Sequence, residues 1–145
     1  MALRRLRGYP LVDGGARGIA LATDVPLSFW GGVDPKDGRI IDKRHPLLGQ
    51  TMAGRILVLP SGRGSCSASG VLFESIANGT APGGIIVCEV DPIIGLGAIL
   101  GDELLGRVVP VIRLEVEEWK LIGNGDVIEI ESSGMVRLVE SGPNR

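Results

Sequence analysis

The sequence predicts an α/β chain of β/β/α type, with a β-hairpin at each end and a small parallel α/β layer between them. Three observations carry this. The apolar runs Arg55–Pro60, Gly84–Glu89 and Val108–Ile112 alternate with helix-like stretches, a strand–helix–strand–helix–strand pattern that favours parallel pairing through right-handed crossovers. Both ends hold strand-like runs split by turn signals, Asp13-Gly14-Gly15 and Ser133-Gly134. The 145 residues are 44% hydrophobic but only 3% aromatic, enough for one core built from Ile, Leu, Val and Ala, so residues 1–145 read as a single domain.

The elements follow in order. Leu3–Leu11 and Gly18–Thr23 read as the first two strands. Pro26–Gly54 is a long stretch rich in Gly, Pro and Asp, and a loop of that length is usually functional or disordered. Phe29 and Trp30 within it argue for order. Arg55–Pro60 is a buried strand, Ser61–Ser69 a loop of small residues, and Gly70–Asn78 a helix stopped by Gly79. Gly84–Glu89 is another buried strand, and Pro92–Leu100, interrupted by Gly95 and Gly97, a short helix. In Val108–Ile112, Pro110 suggests an edge position or an irregular end. Glu115–Leu121 is a short amphipathic helix, and Val127–Glu131 with Met135–Glu140 the closing hairpin.

Composition narrows the function. A net charge of −2 argues against nucleic-acid binding. The cluster Arg4, Arg5 and Arg7 reads as a solvated strand edge or a charged rim facing a partner or an anionic substrate. Two cysteines make no disulfide framework, and with one histidine and no CxxC pair the chain is not expected to build a closed metal site alone. Cys88, inside an apolar run, reads as core. With no apolar run long enough for a membrane span or signal core, a cytoplasmic protein without membrane contact is expected.

The most informative segment is Leu59–Ser69, where a buried strand ends, glycines permit a sharp turn and a helix begins. The free amides of a helix start can hold an anion or stabilise a serine alkoxide, with Arg63 adding positive charge. The same residues are also ordinary turn and capping types. The loop is neither a P-loop nor a G-x-S-x-G elbow.

Ser28-Phe29-Trp30-Gly31-Gly32-Val33-Asp34-Pro35, then Gly38, Ile40-Ile41-Asp42, His45-Pro46-Leu47 and Gly49, resemble the signature of the aconitase X swivel-domain family. So do Gly54–Pro60, Gly62-Arg63-Gly64-Ser65, Glu74, Asn78-Gly79 and Ala81-Pro82. The resemblance runs from about Gly14 to Val127. It implies a swivelling β/β/α domain and a hydro-lyase acting on a hydroxy acid. It also implies a large aconitase X catalytic subunit as partner, which carries an iron or iron–sulfur centre, with no cofactor on this chain. Ser65 matches the family's proton acceptor. The substrates associated with the family are cis-3-hydroxy-L-proline and (R)-5-phosphomevalonate. The Gly-Ser-Cys-Ser-Ala-Ser loop and the continuation past Pro110 favour the hydroxyproline type.

On that resemblance, Ser65 removes the proton next to the substrate carboxylate while the partner's metal polarises the leaving hydroxyl. Arg63, Gly64, Cys66, Asp34 and His45 are the expected substrate contacts. His45 reads at least as well as a structural residue beside Pro46, and Cys66 reads better as a small buried thiol than as a contact to the partner's iron centre. Phe29 and Trp30 are expected in packing or subunit contact, and Glu74 as a solvated carboxylate. The competing class is a non-catalytic ligand-binding or assembly module.

Overall fold

The computed structural model describes residues 4–64 and 66–143. Its ten strands are β1 (Arg4–Arg7), β2 (Tyr9–Val12), β3 (Ala16–Ala22), β4 (Val33–Asp34), β5 (Arg39–Ile40), β6 (Ile56–Val58), β7 (Gly84–Val87), β8 (Val111–Arg113), β9 (Val127–Ile130) and β10 (Met135–Glu140). The helices are α1 (Ser67–Asn78), α2 (Pro92–Leu105) and α3 (Val116–Trp119).

Eight strands form one mixed sheet in the order β1-β10-β9-β3-β6-β7-β8-β2. The middle four, β3-β6-β7-β8, are parallel, as the apolar runs predict, because strands covered on both faces have no polar side to alternate. The C-terminal hairpin β9–β10 forms as expected. The N-terminal strands do not pair with each other. β2 lies against β8, and β3 lies between β9 and β6.

The reason lies at Gly8, which divides the expected strand Leu3–Leu11 in two. β1 closes one end of the sheet against β10, and one residue later β2 closes the other end against β8. Both rims of the sheet are thus a single stretch of chain, and the sheet curls nearly shut. Leu6, Ala20, Ile56, Val58, Ile86, Ile112, Ile128, Ile130, Val136 and Leu138 gather in one buried cluster inside it. The adjacent residues Leu57, Ile85, Val87 and Val111 point the other way, into a second core under α1 and α2, as the period of two requires. Pro110 immediately precedes β8, which is interior, so it marks an irregular end rather than an edge. Pro10 occupies the edge strand β2.

α2 runs five residues beyond the expected Leu100, to Leu105. Its glycines do not break it but let it approach α1. A Cβ at Gly97 would lie 2.8 Å from the Ser69 carbonyl oxygen, and one at Gly101 2.6 Å from Ile76 Cδ1. Gly79 stops α1 in the left-handed conformation. The long segment 26–54 is ordered by its own apolar residues. Leu27, Phe29, Ile40, Leu47 and Met52 are all buried in the helix-side core, and β4 and β5 pair as a two-stranded ribbon.

Candidate functional site

A cleft of about 250 Å³ opens at the carboxyl ends of β6 and β7, lined by Leu27, Arg63, Ala68, Glu89, Asp91 and Ile94 among others. This is where ligands bind in open parallel sheets. The loop leaving β6 forms one wall and is pinned from three sides. Pro60 O accepts from the amides of Cys88 and Glu89, both at 3.1 Å. Leu27 N donates to Ser61 O at 3.4 Å, and Arg63 N donates to Leu27 O at 3.2 Å. Gly62 N donates to Asp91 Oδ2 at 2.6 Å.

Asp91 was not among the residues expected to matter. It is 7% exposed and caps α2, its Oδ1 accepting from Ile93 N at 3.0 Å and Ile94 N at 3.1 Å. The signal was legible, since Asp91 directly precedes Pro92, an N-cap acid before a first-position proline.

The expected site residues divide into two groups. Arg63 and Gly64 belong to the cleft loop. Arg63 is exposed and pairs with Asp42 across 3.7 Å, a solvated contact that orients more than it stabilises. Gly64 has a φ of +96°, and a Cβ there would sit 2.7 Å from Ser28 Oγ, so the turn demands glycine. Cys66 is exposed at the start of α1, where its carbonyl accepts from Ser69 Oγ at 2.7 Å. Ser65, the expected base, lies outside the described residues.

Asp34 and His45 are not among the cleft's lining residues. Asp34 Oδ1 accepts from Lys36 N at 2.9 Å, closing a local turn. His45 is 5% exposed. Its Nδ1 accepts from Leu47 N at 3.1 Å, which places the ring proton on Nε2, 3.2 Å from Val25 O. Backbone therefore engages both ring nitrogens, and His45 staples the long loop. Phe29 is buried, Trp30 is 62% exposed, and Glu74 is exposed. Arg4, Arg5 and Arg7 are exposed on the edge strand β1.

Cys88 departs from expectation. It sits just past β7, half-buried rather than in the core. Burial pushes its thiol above the usual range, and the charge of Glu89 adds to the shift. Its Sγ lies 3.8 Å from Pro60 O. Thiolate is the reactive form, so iodoacetamide at mildly alkaline pH is expected to modify exposed Cys66 well before Cys88, as read by peptide mass spectrometry.

Among the described residues no three His, Cys, Asp or Glu side chains gather as a metal site. The described residues therefore offer no ligand set for an iron or iron–sulfur centre. Nor is any helix among the described residues long and apolar enough to cross a membrane.

A curled mixed sheet with two helices on one face and a glycine-rich loop beside a cleft defines a small α/β domain of the swivel type. Residues 5–138 match the family described as the aconitase X swivel domain, and the chain belongs to it. It is 50% identical over 104 residues to the cis-3-hydroxy-L-proline dehydratase of Pseudomonas aeruginosa, covering 72% of this chain but only 18% of that protein's length. It is 40% identical over 141 residues to the phosphomevalonate dehydratase small subunit of Methanopyrus kandleri, covering 95% of this chain and 100% of the relative. The crystal structure of Thermococcus kodakaraensis aconitase X in its holo-form superposes with a TM-score of 0.84 at 35% identity, over 94% of this chain and 99% of the other.

Proposed function

We propose that this chain is the small subunit of a two-chain aconitase X-type hydro-lyase, and that Ser65 is its proton acceptor. The observation that carries the small-subunit reading is the match over 95% of this chain and 100% of the M. kandleri small subunit; Ser65 is proposed from the Gly62-Arg63-Gly64-Ser65 motif. The loop bearing Ser65 borders the cleft through Ser61, Gly62, Arg63 and, beyond it, Ala68. In the reaction the C–H bond next to the substrate carboxylate breaks, a C=C bond forms, and the hydroxyl leaves, for a net loss of water. Ser65 takes the proton, while amides at the start of α1 and the Arg63 guanidinium offset the growing negative charge. The partner supplies the rest of the pocket.

For the substrate, (R)-5-phosphomevalonate is the better-supported reading, because the relative covered over its whole length is named a phosphomevalonate dehydratase small subunit. The continuation past Pro110 does not mark the hydroxyproline type, since the M. kandleri match extends over 95% of this chain. The 50% identity to the Pseudomonas dehydratase favours cis-3-hydroxy-L-proline as the second reading.

Reconstitution with its large subunit tests all of this, with water loss from each substrate followed by mass spectrometry. The chain alone is expected to be inactive, and the pair to dehydrate one of the two substrates. A chain that binds ligand alone and gains no turnover with its partner is a binding module instead.

A further inference from the structure

We infer that Asp91 is a positioning residue for the serine loop, acting through Gly62, and that this role is separable from its capping of α2. The inference rests on Ser65 being the proton acceptor.

The two carboxylate oxygens of Asp91 do different work. Oδ1 takes the two free amides of the helix start, Ile93 and Ile94. Oδ2 takes the amide of Gly62, three residues before Ser65, at 2.6 Å. That short bond between a carboxylate and an amide is of the strong, charge-assisted kind. It is also half-buried, since Asp91 is only 7% exposed, which limits replacement by water. There is no slack around it. A Cβ at Gly62 would stand 2.7 Å from Oδ2 and 3.1 Å from Ile94 Cδ1. The acid thus ties the loop leaving β6 to the start of the helix that follows β7, where both line the cleft.

A capping residue needs one acceptor oxygen, and Asn or Ser serves as well as Asp. Only a carboxylate offers a second acceptor in the same place. In Asp91→Asn, Oδ1 keeps the cap while an NH₂ group faces the Gly62 N–H, donor against donor. In Asp91→Ser, the hydroxyl keeps the cap and nothing reaches Gly62. Both variants therefore remove one of the loop's anchors and leave α2 capped.

The test uses both variants reconstituted with the large subunit. Three measurements are made: thermal midpoint, hydrogen exchange of the segment containing Gly62, and steady-state kinetics with substrate deuterated next to its carboxylate. The expected result is a near-native midpoint, faster exchange at that segment, and kcat lowered by about 10- to 100-fold by misplacement of the base. KM should change little, and the deuterium isotope effect should rise as proton removal becomes limiting. Native kcat in both variants, or a loss of kcat matched by a fall in midpoint with unchanged exchange at the segment, overturns the inference. The exchange measurement does not depend on Ser65. Faster exchange together with full turnover in Ser65→Ala means that the loop tether is real and the assigned base is wrong.

Discussion

Ser65→Ala in the reconstituted enzyme is expected to lose about 10²- to 10⁴-fold in kcat, the contribution of a positioned general base, while the subunits still associate. The expectation follows from what the loop does without that hydroxyl. Its course is set by Pro60 O, Ser61 O, Arg63 N and Gly62 N, none of which belongs to Ser65, so deleting one side-chain oxygen leaves these four anchors in place. Glu89 and Asp91 also line the cleft, but both oxygens of Asp91 are already committed to amides. Cys66, the neighbouring nucleophile, is one residue further along the backbone and does not inherit the position of the lost oxygen. Steady-state turnover and size-exclusion chromatography of the mixed subunits check both halves. Native turnover with an intact complex removes Ser65 as the base.

The parallel centre of the fold was legible because apolar runs of strand length separated by capped helices have few alternatives. The cleft loop was legible for a related reason: glycines at Gly62 and Gly64 beside a strand end announce a turn with no room for side chains. What the sequence did not disclose depends on contacts distant along the chain. Gly8 alone does not say that the strand breaks there, because what it packs against, Ile112 and Gly134, lies far away in sequence. Gly97 and Gly101 look like helix breakers until α1 is laid against them. His45 carries the same letter whether it binds a ligand or a loop, and only the Leu47 amide and the Val25 carbonyl decide. Asp91 shows the opposite case. An acid directly before a first-position proline is a local mark of a helix cap, but its second bond, to Gly62, spans 29 positions and belongs to tertiary structure alone.

Gly134→Ala is expected to be the most damaging small substitution in the curled sheet. Gly134 has a φ of +89°, which already costs a non-glycine residue about 1–2 kcal/mol. A Cβ there would also fall 2.5 Å from Gly8 O and 2.9 Å from Pro10 Cδ. Neither neighbour is a flexible side-chain end. Gly8 is held from the other side, because its amide donates to Gly134 O at 2.8 Å and the side chain of Ile112 fills the space where its own Cβ would be. The new methyl must therefore push β1 and β2 apart at the corner where they close the sheet, disturbing Leu6 and Ile112 in the interior. Backbone strain and overpacking together come to about 3 kcal/mol or more, a fall in Tm of about 10 °C. Gly79→Ala is the control, because Gly79 has a φ of +75° with nothing within 4 Å of the added Cβ. It bears the conformational cost alone, about 1–2 kcal/mol. Calorimetry on the two variants isolates the close approach. If Gly134→Ala is no worse than Gly79→Ala, the corner at Gly8 is not what holds the sheet closed.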